Sequence, residues 1–148
     1  MRAHTLDAIR ALVGALARSA RSVERRTGVT TAQLFVLRQL EADTRSLGEI
    51  ADRTLTRQST VSVVVRRLVE RGLIRRERAT DDRRRLALSL TPAGRRLLAR
   101  APEPTTGRLL VALDKLTGDQ LQSLWMGLDG LIGALGIEPR GAGMLFEG

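Results

Sequence analysis

The chain of 148 residues contains no cysteine and a single histidine, His4. Without cysteine there can be no disulfide, no thiolate metal site and no thiol-based redox switch. One histidine also leaves too few ligands for a transition-metal cluster, so we expect no metal and no cofactor. His4 lies near the amino terminus, where an exposed histidine without a specific role is the simplest interpretation.

Aromatic residues are scarce as well: tyrosine is absent, and Phe35, Trp125 and Phe146 are the only others. Proteins that bind RNA or single strands stack bases on aromatic side chains, so this composition argues against a class that charge alone would allow. No apolar run approaches the ~18 residues of a membrane span, and the first ten residues lack the apolar core of a secretory signal. We therefore expect a cytoplasmic protein without a membrane partner.

Motifs for catalysis are also missing. The sequence has no glycine-rich phosphate loop, no histidine placed to act as a base beside a nucleophile, and no metal-ligand cluster. Scattered carboxylates such as Asp43 and Glu49 would have to carry any reaction, and Glu49 is already explained as part of a helix start. We therefore expect no enzymatic activity.

Positive charge is what the chain has in excess. Lysine and arginine total 25 against 16 aspartates and glutamates, which gives a formal net charge of +9. Segment 53–85 holds eleven arginines and four acidic residues, so +7 of this charge is concentrated there. Such a concentration indicates a polyanionic partner. Only Lys115 is a lysine, however, and a GC-rich genome would produce the same arginine bias without a functional cause.

The segment Thr56–Arg71 predicts a short helix with two dissimilar faces. At about 100° per residue, one side is an apolar stripe made of Val61, Val64, Val65 and Leu68. The opposite side and the leading end offer small hydroxyls, a valine, a glutamine and arginines, namely Arg57, Gln58, Ser59, Thr60, Ser62, Val63, Arg66 and Arg67. These types suit the base edges and the thymine methyl group of a DNA major groove. We interpret the segment as a recognition helix with Thr56 as its N-cap, although three consecutive valines are also typical of an ordinary core helix.

The preceding pattern predicts three helices. Apolar spacing indicates an amphipathic helix from Leu6 to Arg26 that Gly28 ends, and Thr30 opens a second helix with a capping box. Ser46 opens a third helix, separated from the recognition helix by only a residue or two. Its buried residues are expected to be Leu47, Ile50, Ala51 and Leu55. Two short helices joined by so tight a turn, the second with a basic outer face, are a helix-turn-helix.

Beyond Gly72, which stops the recognition helix, the sequence predicts a β-hairpin. Segment 73–78 is typical of a strand, 79–82 has turn chemistry, and leucine alternates with other residues over 85–90 in the period of two of a half-buried strand. Six arginines lie on this hairpin. After a helix-turn-helix such a hairpin is a wing, whose arginines can enter the narrow minor groove. A solvated loop of mixed charge is the alternative interpretation of its tip.

The carboxyl-terminal third predicts further helices. Thr91-Pro92 begins one by side-chain capping and proline at the first position. Two later prolines predict a break or strong kink over 101–105, because proline removes a helical hydrogen bond. Thr117 begins the last helix with another capping box, and the glycine-rich segment 137–148 is expected to be a loose tail.

The first and last helices each carry a wider apolar face than a small core can cover. We expect the cover to be a second copy of the chain about a two-fold axis, the alternative being a monomer in which these helices fold back over the rest. Paired recognition helices would then address half-sites about one helical turn apart. The residues expected at this dimer interface are Leu6, Ile9, Leu12, Leu16, Leu121, Leu124, Leu128, Leu131 and Leu135.

This order of elements resembles the MarR family of dimeric transcription regulators, over roughly 6–135. The most specific similarity is the wing motif Asp82-Arg83-Arg84 followed by the junction Leu90-Thr91-Pro92-Ala93-Gly94. By that resemblance Asp82 orients Arg84 toward the minor groove, while Arg83 and Arg85 lie along phosphates. The resemblance also implies repression that a small aromatic or anionic effector relieves by binding between the dimerisation helices and the winged helix. It does not fit the peroxide-sensing subclass, which needs a cysteine.

The expected fold is therefore mainly α with a small β-hairpin wing. A winged helix-turn-helix over 30–92 is expected to bind DNA, helical regions over 1–29 and 93–136 to dimerise, and 137–148 to form the tail. The expected function is a ligand-responsive repressor that binds a pseudo-palindromic double-stranded operator as a homodimer. An architectural or general nucleic-acid-binding winged helix without an effector is the alternative, and no effector-binding residue is assigned.

Overall fold

The computed structural model describes residues 1–78 and 86–137, which form seven helices and two strands. In chain order these are α1 (Arg2–Thr27), α2 (Thr31–Gln39), α3 (Leu47–Arg53), α4 (Gln58–Glu70), β1 (Ile74–Arg78), β2 (Leu86–Leu90), α5 (Pro92–Arg100), α6 (Thr105–Asp114) and α7 (Gly118–Ala134). The predicted, mainly helical fold with one hairpin is confirmed. The predicted turn at 79–82 and the tail from 138 onward lie outside the described residues.

Side-chain caps set most helix starts, as predicted. The hydroxyls of Thr30, Ser46 and Thr117 each accept the N–H of the residue three positions later, whose side chain accepts the N–H of the cap residue in return. Thr91 caps α5 by accepting the Gly94 N–H at 3.1 Å. A cap of this kind is worth ~1 kcal/mol, which is enough to fix where a short helix begins.

The predicted break after α5 is confirmed, and it separates α5 from α6. Helix α5 ends at Arg100 and α6 begins at Thr105, with two prolines in the connection. Pro104 is the N-cap residue of α6 and makes no side-chain cap hydrogen bond. Instead the backbone N–H of Thr105 donates to Oγ of Ser19 in α1 at 2.9 Å. A residue from α1 therefore caps α6.

One continuous core joins the helix-turn-helix to the hairpin. Helices α2, α3 and α4 contribute most of it, and the predicted stripe of α4 is fully buried. Strands β1 and β2 pair antiparallel with Ile74 opposite Leu90, and both of these side chains are buried. Val23 from the end of α1 and Leu98 from α5 complete the same core. The winged part is thus packed against both flanking helical segments.

A residue outside the two strands extends the hairpin. The backbones of Arg45 and Leu88 exchange two hydrogen bonds of 3.1 and 2.8 Å. Nε of Arg45 also donates to the backbone oxygen of Gln39 at the end of α2, at 2.6 Å. The hairpin is therefore anchored to the connection between α2 and α3, a link that the sequence pattern does not predict.

Helix α7 stands apart from this core. It makes at most marginal contact with the other described elements, and none of its residues is buried. Its leucine stripe and most of the amino-terminal half of α1 are exposed. No helix in the described part of the chain is both long and apolar enough to span a lipid bilayer.

Candidate nucleic-acid interface

Helix α4 presents its polar side to solvent. Its four buried residues are those of the predicted stripe, which leaves the opposite side uncovered. Val63 is 39% exposed in the middle of that side. Five of the other predicted site residues are exposed, namely Arg57, Gln58, Ser59, Arg66 and Arg67. The remaining two, Thr60 and Ser62, are half-buried. All eight therefore lie along one accessible surface, which we call the α4 face.

The start of α4 differs from the prediction. Thr56 is not the N-cap, because its hydroxyl donates to the backbone oxygen of Thr54 at 2.9 Å and is turned away from the first helical turn. Arg57 is the N-cap residue and makes no side-chain cap hydrogen bond. The amino end of a helix carries a partial positive charge, and here an arginine lies beside it. This end of the α4 face favours negatively charged groups.

The turn before α4 is also longer than predicted. Four residues, Thr54 to Arg57, separate α3 from α4, whereas the sequence suggested one or two. Leu55, expected to be buried, is 73% exposed. Its backbone φ of 50° lies in the left-handed region and points the side chain outward. Thr54 is buried instead, and its hydroxyl donates to the backbone oxygen of Ile50 at 2.8 Å.

The base of the hairpin lies beside α4. Arg76 pairs with Leu88 across the two strands, so their side chains share one face of the hairpin. Arg76, Leu88, Leu47, Ser62 and Val65 line a cleft of about 170 Å³ between the hairpin, α3 and α4. A second arginine of β1, Arg75, has its Nε 3.0 Å from Ser89 Oγ and forms an ion pair with Glu77.

A glycine fixes how α5 leaves the hairpin. The Thr91 hydroxyl donates to the backbone oxygen of Gly72, and the Thr91 N–H donates to that of Leu73. These bonds bring the first turn of α5 so close that a Cβ on Gly94 would lie 2.2 Å from the Leu73 oxygen. The glycine in the junction quoted above therefore has a steric cause, because only glycine allows this approach.

The wing tip is not part of the described residues. Asp82, Arg83, Arg84 and Arg85, predicted to contact DNA, lie outside them, so their predicted roles stay predictions. Within the described ranges no group of three histidine, cysteine or acidic side chains is placed to hold a metal ion. The arrangement that remains is an exposed basic and hydroxyl-bearing helix face beside the base of a hairpin.

Three comparisons with known proteins agree with this arrangement. The family model described as "MarR family" matches residues 27–85. The curated HTH-type transcriptional repressor MdtR of Bacillus subtilis (strain 168) is 44% identical over 68 residues, which are 45% of this chain and 44% of that protein. The match thus spans less than half of the length of that repressor.

Two solved structures are similar over most of the chain. A probable transcriptional regulator from Pseudomonas aeruginosa is 32% identical with a TM-score of 0.54, and the alignment covers 84% of this chain and 92% of that one. The S. aureus MepR–DNA complex has a TM-score of 0.58 at 20% identity, and the alignment covers 91% of this chain and 96% of MepR. At 20% identity, this similarity shows that the chain and MepR share a fold.

Proposed function

Because this chain belongs to the MarR family of transcription regulators, we propose that it binds double-stranded DNA as a homodimer and represses transcription. The single observation that carries this proposal is the α4 face, an exposed surface of arginines, hydroxyls and a glutamine on a helix-turn-helix. MepR, which has the same fold, was solved in complex with DNA, and MdtR is named a repressor. A regulator of this type acts in the cytoplasm, where the chromosome is.

The α4 face divides into base-reading and phosphate-binding residues. Gln58, Ser59 and Thr60 lie in the first turn of α4, the part of a recognition helix that reaches base edges. Ser62 and Val63 follow, with a hydroxyl for polar edges and methyl groups for thymine. Replacing Gln58 by Ala should reduce the discrimination between bases at one position of the operator by ~1–3 kcal/mol. An unchanged preference in a binding selection would remove this role.

The wing is proposed to supply a second contact. Asp82 would orient Arg84 into the minor groove, and Arg83 and Arg85 would contact phosphates. Support comes from the anchored base of the hairpin, where Leu88 pairs with both β1 and the α2–α3 connection. An Arg84→Ala variant should lose operator affinity while its circular dichroism and oligomeric state stay unchanged. Equal affinity of the variant would refute the proposed wing contact.

The homodimer is proposed to form through α1 and α7. The leucines of α7 are exposed, as are Leu6 and Leu12 of α1, while Ile9 and Leu16 are half-buried. Helix α7 also contains glycines at 127, 130 and 133, each of which costs ~1 kcal/mol relative to alanine in a helix interior. An isolated helix of this composition is marginal, so packing against a partner must stabilise it.

In the proposed dimer, 1–29 and 93–136 form the dimerisation region and 30–92 the DNA-binding region. The two-fold axis places two α4 faces on one side of the molecule, which matches a pseudo-palindromic operator.

An effector is proposed to act between these regions. Helix α1 and the α5–α6 connection enclose an open cleft of about 380 Å³. Its lining mixes polar and apolar groups and consists of Ala15, Arg18, Ser19, Ser22, Pro102, Glu103 and Thr105. The Arg18 guanidinium together with the hydroxyls suits a small anionic or aromatic acid, and Arg38, whose Nη2 lies 3.9 Å from Oε2 of Glu103, offsets the charge of that carboxylate. Release of the dimer from its operator in a compound screen would identify such a ligand, and failure of every aromatic and anionic acid would leave an unregulated binder.

The proposed function is tested by selecting bound duplexes from a random pool with the purified protein. We expect enrichment of a palindrome with half-sites centred about one helical turn apart. Sedimentation of the complex on that duplex should give two chains per site. Recovery of unrelated sequences in moderate salt would overturn sequence-specific recognition and favour a general nucleic-acid binder.

A further inference from the structure

The side chain of Arg71 connects the end of α4 to the junction between α1 and α2. Its Nη1 donates to the backbone oxygen of Gly28 at 2.8 Å and also lies 3.4 Å from Oε1 of Gln33. Gly28 is the residue that ends α1, and Gln33 closes the capping box at the start of α2. Arg71 itself is the C-cap residue of α4. One guanidinium thus links the ends of three helices, and we call this contact the Arg71 bridge.

The chemistry of the bridge favours arginine at this position. Gly28 follows the last turn of the 26-residue helix α1, whose carboxyl end carries a partial negative charge. A guanidinium is permanently charged and holds its N–H groups in a rigid fork, so it can direct donors at a carbonyl and an amide oxygen together. The Gln33 oxygen also accepts the N–H of Thr30 at 3.1 Å, which holds it in place.

The Arg71 bridge connects α1 and α4, two helices whose main packing contacts are with other elements. Helix α1 packs against α2, α5 and α6, whereas α4 packs against α2, α3 and β1. Helix α2 therefore lies between the proposed dimerisation helix and the proposed recognition helix. Because Arg71 reaches from α4 to Gly28 directly, it limits rotation of α4 relative to α1 at the point where both helices end.

We propose that Arg71 is a positioning residue that sets the separation and orientation of the two recognition helices in the dimer. This inference rests on the proposed function, since it needs two α4 faces on one operator. Arg71 acts through the angle between α1 and α4 and reads no base. Its loss should therefore leave the preferred half-site unchanged and relax the preferred distance between half-sites.

The test measures affinity for duplexes that carry two identical half-sites and differ only in spacer length. One added base pair moves a half-site by about 3.4 Å along the axis and rotates it by about 35°. The wild-type dimer should therefore discriminate sharply against altered spacers. In Arg71→Gln this discrimination should fall by about threefold to tenfold, the order expected from the loss of one solvent-exposed hydrogen bond.

A matched control separates position from charge. Arg26→Gln removes the same charge from the last turn of α1 and keeps the bridge. Both variants should lose some affinity through weaker attraction to phosphates, but only Arg71→Gln should lose spacer discrimination. If both variants lower affinity equally at every spacer length, the proposal is overturned.

A second variant covers the case in which Arg71→Gln does not fold. In Gln33→Glu the carboxylate can still close the capping box, and it offers Arg71 an ionised acceptor. Spacer discrimination should then increase, and an unchanged value would refute the positioning role. A wild-type protein with no preference for any spacer would overturn the proposed function itself, and this inference with it.

Discussion

Leu55 occupies a backbone conformation that suits glycine. Its φ of 50° is the only positive value among the described non-glycine residues, and its side chain is 73% exposed. A side chain in the left-handed region costs ~1–2 kcal/mol, and an exposed leucine recovers little of this by burial. This strained residue lies in the turn that leads into α4. Residues in sparsely populated backbone conformations are often found next to functional surfaces.

Replacing Leu55 by glycine should therefore stabilise the protein. We expect the free energy of unfolding to increase by about 1 kcal/mol, because the relief of strain outweighs the greater flexibility of glycine in the unfolded chain. Leu55→Ala is the control, since alanine keeps the Cβ and thus the strain. Denaturation with urea gives both values, and equal stability of the two variants would contradict the explanation.

Gly94 is constrained in the opposite sense, because the backbone of β1 leaves no space beside it. A Cβ at this position would meet the oxygen of Leu73 at 2.2 Å, and a backbone atom cannot rotate away as a side chain does. Gly94→Ala should lower the free energy of unfolding by ~1–3 kcal/mol, the usual cost of overpacking. Gly118→Ala, where no atom lies within 4 Å, serves as the control and should not be destabilised. Equal effects of both substitutions in thermal melts would argue against the close approach.

At the scale of elements, α7 has an apolar face that no other element of residues 1–78 and 86–137 covers. Leu128 lies within this face and is 46% exposed. In a two-fold dimer each substitution occurs twice, so a charge placed there is buried twice without compensation. Leu128→Glu should therefore shift the protein to monomers in sedimentation velocity, with a dimer dissociation constant raised by at least about 100-fold, since each buried charge costs several kcal/mol.

A substitution on the other side of the same helix controls for this experiment. Ser123 is exposed and lies opposite the leucines on α7. Ser123→Glu introduces the same charge and should leave the dimer intact. Dissociation by both variants would indicate that the helix is destabilised as a whole, and retention of the dimer by both would place the interface elsewhere.

What the sequence predicts correctly about these elements is local. Capping boxes at Thr30, Ser46 and Thr117 depend on residues three positions apart, and each lies where the pattern places it. The prediction for the turn around Leu55 was wrong, because helical spacing does not reveal that the backbone φ of this residue is positive. The pairing of Arg45 with Leu88 joins residues 43 positions apart, and no spacing rule in the sequence identifies such a link.

The candidate site also has a part that the sequence predicts and a part that it does not. The burial pattern of α4 followed from helical periodicity, which is why the α4 face could be identified in advance. The contribution of Arg71 could not be identified in this way, because its partners Gly28 and Gln33 lie 43 and 38 positions away. In the sequence Arg71 is one of eleven arginines in a basic segment, and charge alone does not separate a bridge from a phosphate contact.

At the scale of the whole molecule, the net charge of +9 makes the affinity for DNA sensitive to salt. Each phosphate contact releases condensed counterions, so affinity falls with rising salt by a slope of about 0.9 per contact. Arg66 is exposed on α4 one turn beyond Ser62 and is proposed to contact a phosphate. Arg66→Ala should reduce this slope by about 1 per subunit and lower affinity for all duplexes alike.

Titrations at several salt concentrations on the selected operator and on a scrambled duplex measure this effect. Gln58→Ala provides the contrast, since it should change the ratio between the two duplexes and leave the slope unaltered. A loss of affinity in Arg66→Ala that is confined to one sequence would contradict a phosphate role and assign the residue to base reading.

The hydrogen bond between Thr105 and Ser19 has a consequence for biosynthesis. The two residues are separated by 86 positions, so the acceptor leaves the ribosome long before the donor is synthesised. Until Thr105 emerges, the nascent chain has α1 and the winged part but no α6 for Ser19 to cap. The hydrogen bond that caps α6 can therefore form only late in translation, after α1 to α5 have already been made.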